Sequence, residues 1–189
     1  MAILATATVK REAIPEGVYS AICTRLVDLG DQYNKMFGST ARKIMICWEI
    51  PAVTIDIDDV PMPKMISREF TLSLGKKSAL RPFLESWRGK AFTDTDLTGF
   101  DLKNILGKSC QIQIIHNEAG YERISSVMAM PTGSADINPA TELLYFDLSD
   151  VNCMDVFALL PAWMQNKVKE SPQFQNLTVD YTADSDLPF

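Results

Sequence analysis

The hydrophobic pattern of residues 17–130 alternates with a period of two in several separate runs and changes to a helical period only once. In residues 43–50, Ile44, Ile46, Trp48 and Ile50 fall on one side of an extended chain. Such alternation predicts a strand with one buried face. Similar runs predict further strands at residues 17–28, 66–74, 108–116 and 121–130. The body of the chain is therefore expected to be mainly β.

The helical period lies between the third and fourth predicted strands. Leu80, Phe83, Leu84 and Trp87 follow the i, i+3, i+4, i+7 spacing of an amphipathic helix, which Gly89 ends. Five strands with a helix between the third and fourth is the order of an OB-fold, a small, partly open Greek-key barrel. We therefore expect a five-stranded OB-fold barrel over residues 1–149, with Trp48 and Trp87 in its core.

The C-terminal third differs from the body in pattern and in charge. Helical signals predict a segment over residues 150–172, interrupted at Pro161, in which Trp163 packs on the body, and residues 142–146 could add an edge strand. Residues 173–189 would form an acidic tail. Residues 1–130 contain 16 basic and 15 acidic residues, whereas residues 131–189 contain two and nine, so the net charge of −6 is concentrated at the C-terminal end. A near-neutral body can still carry a basic groove.

The cysteines and the apolar runs limit the cellular compartments in which the protein is expected. The four cysteines are widely separated and the only histidine is His116, so the close Cys/His pairs of a zinc site are missing. Buried thiols in a reducing compartment are expected. Because no apolar run approaches 18 residues and no basic residue precedes the short N-terminal apolar stretch, we predict no membrane partner and no secretory signal. A cytoplasmic location without cofactors follows.

Aromatic and basic residues interleave in the connector between the first two predicted strands. The Gly, Asn and Asp content of residues 30–43 predicts a mobile hairpin loop. Tyr33 and Phe37 alternate there with Lys35, Arg42 and Lys43. Single-stranded nucleic acid is bound by cations along its backbone and by aromatic faces that stack on its bases. The alternative is an ordinary surface loop whose aromatics pack back on the barrel.

Charged residues also share predicted strand faces with aromatics. Arg25 would lie on the face of Tyr19, and Arg68 on that of Phe70, a pattern typical of a binding surface or of cation–π packing at a barrel mouth. The remaining predicted DNA contacts are a lysine pair after the third strand and an aromatic–basic pair after the 117–120 turn, namely Lys76, Lys77, Tyr121 and Arg123. The lysine pair is equally compatible with a solvated turn.

The sequence offers little support for catalysis. Residues 74–78 contain Gly-Lys-Lys-Ser without the spaced upstream glycine of a phosphate loop. His116 continues an apolar strand face, which favours a structural histidine. Asp56, Asp58 and Asp59 could bind a divalent ion as nuclease carboxylates do, but they precede two prolines in a predicted loop rather than lying on rigid strands. We predict no catalytic residues and no metal.

The C-terminal residues combine negative charge with an apolar end. No Lys or Arg follows Lys169, and the final residues include Asp184, Asp186, Leu187, Pro188 and Phe189. A partner protein could take Phe189 into an apolar pocket while the two aspartates steer the encounter. The alternative is a frayed acidic terminus.

This tail resembles that of bacterial and phage single-stranded-DNA-binding proteins, which end in acidic residues followed by Ile-Pro-Phe or Leu-Pro-Phe. Residues 14–30, 43–51 and 160–163 also resemble the phage-encoded members. The resemblance implies an OB-fold that coats single strands during phage DNA replication and recombination in the host cytoplasm, and a tail that recruits replication or repair proteins. The chain lacks the long linker and the N-terminal strand sequence of the tetrameric cellular form, so a monomer or homodimer is expected.

Two other classes of function stay open from the sequence. The barrel could bind another protein, with the acidic tail mimicking nucleic acid, in which case the protein would be an adaptor without DNA affinity. A nuclease or strand-annealing enzyme would instead depend on residues such as Asp58 and Asp59. Strand affinity and metal dependence separate these classes.

Overall fold

The computed structural model describes residues 12–177, which form one mainly antiparallel β-sheet with a few short helices. The strands are β1 (Gly17–Asn34), β2 (Ser39–Ile57), β3 (Val60–Thr71), β4 (Ser109–His116), β5 (Glu122–Met128) and β6 (Leu144–Phe146). Neighbouring strands follow the order β3-β2-β1-β4-β5, and the short β6 pairs in parallel with β1. The prediction of a mainly β protein is confirmed, and the sixth strand lies within residues 142–146, where the sequence allows an additional strand.

The sheet is not closed into a barrel. β3 and β5 lie at the two ends of the strand order and share no ladder of backbone hydrogen bonds within the described residues. A side chain spans this seam instead, because Arg68 Nη1 on β3 donates to the carbonyl oxygen of Ile124 on β5 at 3.0 Å. The predicted order of strands is therefore seen without the predicted closure.

Three of the helices, over residues 80–88, 153–158 and 162–169, fall where the helical signals predict them, whereas two short helical turns within residues 94–105 are not predicted from the sequence. The helical elements are α1 (Leu80–Arg88), α2 (Asp94–Thr98), a 3₁₀ turn (Leu102–Ile105), α3 (Cys153–Ala158) and α4 (Ala162–Lys169). All four predicted apolar positions of α1 are buried, and Gly89 ends the helix with a left-handed φ of 69°. None of the helices in the described part of the chain is long and apolar enough to cross a bilayer.

One face of the sheet, here called the α1 face, packs on α1 through a group of aromatic rings. Trp48 of β2 is fully buried, as predicted, with its ring centroid 5.8 Å from Phe83 and 5.7 Å from Trp87. Phe70 of β3 approaches Phe83 to 4.7 Å. Each such aromatic buries a large apolar area, so this cluster supplies much of the stabilisation of the body.

The opposite face, here called the C-terminal face, is covered by residues 146–174. β1 and β2 contribute Val27, Leu29, Met45 and Cys47, and the cover contributes Phe146, Phe157, Leu160, Met164, Val168 and Phe174. Met164 and Val168 are one turn apart, so they direct a single stripe of α4 inwards. Trp163 is off this stripe and 49% exposed, so the prediction that it packs on the body is wrong.

Two β-bulges change which residues of β1 lie on each face of the sheet. The register with β2 shifts between Cys23 and Arg25 and again between Asp28 and Gly30. Before the first shift, Ala21 and Cys23 pack in the α1-face cluster, whereas Val27 and Leu29 pack in the C-terminal-face cluster. The extra residue of a bulge moves the following side chains to the other side of the strand.

A buried carboxylate fastens the segment before β6 to the sheet. Glu49 is only 1% exposed, although the alternation of β2 predicts a solvent-facing side chain. It accepts hydrogen bonds from the backbone N–H of Ala140 at 2.8 Å and of Thr141 at 3.1 Å, and from the Thr141 hydroxyl. Several donors compensate the desolvation of this charge.

The two connectors flanking β2 are strands for most of their length. Residues predicted as a mobile loop over 30–43 are paired from Gly30↔Lys43 to Asn34↔Ser39, which leaves a turn of only four residues. The predicted proline-broken loop over 56–63 is a hairpin turning at Asp58 and Asp59, whose φ angles of 50° and 61° are left-handed. Aspartate tolerates this conformation, and the prolines lie on the outer strand.

Candidate nucleic-acid interface

The tip of the β1–β2 hairpin, residues 33–40, carries the most exposed of the predicted aromatics. Tyr33 is 64% exposed and Phe37 74% exposed, and the intervening Met36 reaches 84%. Lys35 is also exposed. Asn34 Oδ1 accepts from the N–H of Met36 at 2.9 Å, which shapes the turn. The tip hairpin therefore presents aromatic surface and a positive charge on an ordered turn, and its aromatics do not pack back on the sheet.

Arg42 lies on the same side of the hairpin as Tyr33 but is paired with a carboxylate. Its Nη2 is 2.5 Å from Asp28 Oδ2 and its Nε 3.3 Å from Oδ1, a two-pronged contact. The hydrogen bond to Asp28 raises the pKa of Arg42. The guanidinium is 40% exposed and largely neutralised locally, so it is a weaker phosphate contact than the sequence predicts.

Lys43 and the lysine pair lie at the same end of the sheet as the tip. Lys43 Nζ donates to Thr71 Oγ1 at 2.9 Å. The loop after β3 begins beside Arg42, where the N–H of Leu72 donates to the Arg42 carbonyl oxygen at 2.8 Å, and Lys76 and Lys77 follow, exposed. In the strand register, Lys43 faces the side opposite Arg42. Cations therefore flank the base of the tip on both sides.

The side chain of Arg68 makes its contacts within the protein. Its guanidinium carbon lies 4.9 Å from the centroid of Phe70 and 5.2 Å from that of Phe83, in addition to the hydrogen bond across the β3–β5 seam. Burial lowers its pKa. Of the two interpretations open from the sequence, the cation–π packing is the one observed.

Arg25 does not share a face with Tyr19. The bulge after Cys23 reverses the side of β1 on which the following residues lie, so Arg25 follows the C-terminal face while Tyr19 packs at the edge of the α1-face cluster. Arg25 lines a cavity of about 360 Å³ beside Tyr145, Val156 and Leu159. The predicted pairing is wrong because an alternation count cannot detect a bulge.

The remaining candidates lie at the other end of β1. Tyr121 is 67% exposed and Arg123 is exposed on β5. β5 pairs with β4, whose last residues lie beside the start of β1, whereas the tip includes the last two residues of β1. Tyr19 is partly buried and its hydroxyl donates to the Pro15 carbonyl at 2.9 Å. At about 3.3 Å per residue, the 18 residues of β1 separate the two groups by as much as roughly 60 Å.

The central sheet face is not available on the C-terminal side. OB-folds commonly bind oligonucleotides on the face of strands 2 and 3 and on the adjoining loops. Here Met45 and Cys47 of β2 are covered by α3, α4 and the residues around them. The sequence predicts that the helical segment 150–172 packs on the body, but its helical signals do not say which face of the sheet it covers. An oligonucleotide can reach the hairpin tip and the loop beside it.

The structure brings no metal-binding group together within residues 12–177. Asp56, Asp58 and Asp59 lie on an exposed hairpin. His116 Nε2 is 2.7 Å from the Ile14 carbonyl oxygen, so the imidazole has a backbone partner. The tail residues Asp184, Asp186, Leu187, Pro188 and Phe189 lie outside the described residues. No protein-family model and no curated protein matches this sequence.

Proposed function

We propose that the protein binds single-stranded DNA without sequence preference and without catalysis. It would coat and protect exposed strands during DNA replication and recombination, the role implied by the resemblance to phage single-stranded-DNA-binding proteins. The hairpin tip would stack bases on Tyr33 and Phe37, and Lys35, Lys43, Lys76 and Lys77 would hold phosphates.

The exposure of the tip aromatics carries the proposal. Two aromatic rings that are 64% and 74% exposed leave most of their apolar area in water, and stacking on a base removes that area. Every base has a face that can stack, so this mode of binding tolerates any sequence. The neighbouring cations add phosphate contacts. Because each contact releases counterions from the DNA, the affinity falls as the salt concentration rises.

The order of elements supports an OB-fold as the finer description of the sheet. β1 pairs with both β2 and β4, and α1 lies between β3 and β4, as in that fold. The Arg68 hydrogen bond to Ile124 joins the two strands that an OB barrel would pair at its seam. In this interpretation the hairpin tip corresponds to the first long loop, which is a usual binding element.

The acidic tail would serve a different partner. Its Leu187-Pro188-Phe189 end, preceded by Asp184 and Asp186, has the charge and apolar character that a basic, apolar pocket on a replication or repair protein would bind. Because the tail is a polyanion, it would also compete with DNA for the basic residues around the tip.

The test is the anisotropy of a labelled oligo-dT titrated with the full chain at two salt concentrations, with duplex DNA as competitor. Tyr33→Ala and Phe37→Ala should each weaken binding by about 1–3 kcal/mol, which is roughly 5–150-fold. Lys35→Ala should lower the slope of log affinity against log salt by about one. Trp163→Ala, an exposed aromatic on α4, is the matched control and should leave affinity unchanged. Unaltered binding by both tip variants would rule out the tip as the stacking surface.

An adaptor that binds protein instead of DNA is the second candidate, favoured by the net charge of −6 and by exposed apolar residues on the β2–β3 hairpin. Removal of residues 180–189 separates the two. A strand-binding protein keeps or gains affinity for oligo-dT when a competing polyanion is removed. An adaptor shows no affinity in either form, even at low salt.

A further inference from the structure

The far end of β2 forms a two-stranded ribbon with one apolar face. Beyond the irregular residues 51–53, β2 and β3 pair alone over residues 54–63, here called the ribbon, with Ile55 opposite Met62 and Ile57 opposite Val60. Directly opposed residues, and residues two apart on a strand, share a side, so these four side chains form one face. Ile55, Ile57 and Val60 are 39%, 49% and 53% exposed. A contiguous apolar surface of this kind indicates an interaction site.

The edge of the ribbon disfavours one mode of binding. Pro61 and Pro63 lie on β3, the outer strand of the sheet, and neither has a backbone N–H to donate. A partner strand added to this edge would lose two hydrogen bonds, since prolines at an edge block such pairing. Contact through the apolar face is unaffected. The face ends at Asp58 and Asp59, so a partner meets negative charge beside apolar surface.

The hairpin tip of this same chain has the complementary character. Tyr33, Met36 and Phe37 are 64–84% exposed, and Lys35 supplies a positive charge among them. The tip includes the first two residues of β2, whereas the ribbon includes its last. The 19 residues of β2 extend for up to roughly 60 Å at about 3.3 Å per residue, and the two surfaces lie at opposite ends of this strand.

We infer that the apolar face of the ribbon of one copy docks on the hairpin tip of a second copy, with Asp58 and Asp59 next to Lys35. The two surfaces differ, so the contact is heterologous. Two copies placed antiparallel could close it with two equal contacts, and a head-to-tail arrangement would extend it into a chain. If the proposed function holds, single-stranded DNA competes for the tip and dissociates this assembly.

The first arm of the test is sedimentation velocity of the full chain over a wide range of concentration at low salt. The wild type should associate as its concentration rises. A ribbon variant, Ile57→Thr with Val60→Thr, keeps β-branched residues and removes apolar surface; a tip variant, Met36→Ala with Phe37→Ala, removes the other half. Each should weaken association about tenfold or more. The control Val151→Thr changes a residue that is 82% exposed elsewhere and should have no effect.

The second arm mixes the two variants. The tip variant retains an intact ribbon and the ribbon variant an intact tip, so an equimolar mixture should associate as neither does alone. Asp58→Asn with Asp59→Asn, which suits the left-handed turn, should weaken association without an effect on folding. A wild type that stays monomeric, or a mixture that does not associate, would overturn the inference.

Oligo-dT binding, measured on the same samples, separates this inference from the proposed function. The ribbon variant should bind DNA at least as tightly as the wild type, because no second copy then competes for its tip. If no sample binds DNA while the mixture still associates, the proposed function fails and the docking stands. If DNA binding is intact and the wild type never associates, the docking fails alone.

Discussion

The two faces of the sheet are built from different parts of the chain. The α1 face gathers residues from Ile14 to Val127, drawn from five strands and α1, around the fully buried Trp48. The C-terminal face gathers a few residues of β1 and β2 under a cover that comes almost entirely from residues 146–174. The first core is a product of the whole sheet, whereas the second is added by one contiguous segment.

This difference has a consequence for local stability. The part of the cover that follows β6, residues 148–174, can detach without breaking a strand ladder, whereas the α1-face cluster is lost only when the sheet itself opens. The hairpin tip belongs to the sheet, and Gln32, just before it, donates through Nε2 to the Lys167 carbonyl of α4 at 3.0 Å. We therefore expect the C-terminal face to open at a lower free energy than the α1 face.

The largest expected effect is on the α1 face. Trp48→Ala should lower the free energy of unfolding by about 3–5 kcal/mol, because the ring is fully buried and contacts two other aromatics. Chemical denaturation followed by circular dichroism measures it. A loss below about 1 kcal/mol would mean that the sheet can repack around the cavity.

Phe157→Ala tests the other face. Its ring lies 4.5 Å from Phe174 and 6.0 Å from Phe146, so its removal opens a cavity under the cover. We expect a loss of about 3 kcal/mol, at the low end for a buried phenylalanine, because a contiguous segment can shift to fill the space. Hydrogen exchange should rise first in α3 and α4. Equal acceleration in β4 would show that the two faces unfold as one unit.

A smaller effect is expected at the buried carboxylate. Glu49→Gln keeps the shape and removes the charge that accepts from Ala140, Thr141 and the Thr141 hydroxyl. The loss should be about 1–3 kcal/mol, the usual range when a buried polar group loses its partners. Faster proteolysis within residues 131–143 is the expected readout. Glu118→Gln, on the exposed β4–β5 turn, is the matched control.

The cysteines report on the two faces separately. Cys23 and Cys110 pack on the α1 face, and Cys47 and Cys153 on the C-terminal face. Burial raises the pKa of Cys47 and of Cys110 to about 12. Because the C-terminal face should open first, Cys47 and Cys153 should react with a maleimide in low denaturant before Cys23 and Cys110. The reverse order would contradict the proposed ranking of the faces.

The smallest expected effect is a dependence of the unfolding free energy on pH, which arises from the same thiols. Because their folded pKa values are raised, the thiols stabilise the folded state fully below the unfolded pKa, and this contribution is lost as pH rises towards about 12. Unfolding free energy should fall from about pH 9 upwards. Cys47→Ala should reduce the slope, as measured by denaturation at several pH values.

Much of the fold follows from the sequence because its signals are local. The α1 stripe, the 117–120 hairpin turn and the alternation around Trp48 each depend on neighbouring residues, and each is found where predicted. The geometry of the candidate site is harder to predict from the sequence. The pairing of Arg42 with Asp28 and the side on which Arg25 lies depend on register and bulges, which no single stretch of sequence encodes.

The cover on both sides of β1 also determines how this strand should tolerate substitution. β4 has one buried side, and its side chains alternate between buried and accessible. In a scan of substitutions along β4, sensitive and tolerant positions should therefore alternate. Between Ala21 and Gly30, by contrast, every residue of β1 except Arg25 is buried. A mutational scan would find an almost continuous stretch of intolerance there. From that scan alone, one would identify β1 as the central strand of a sheet covered by helices on both sides.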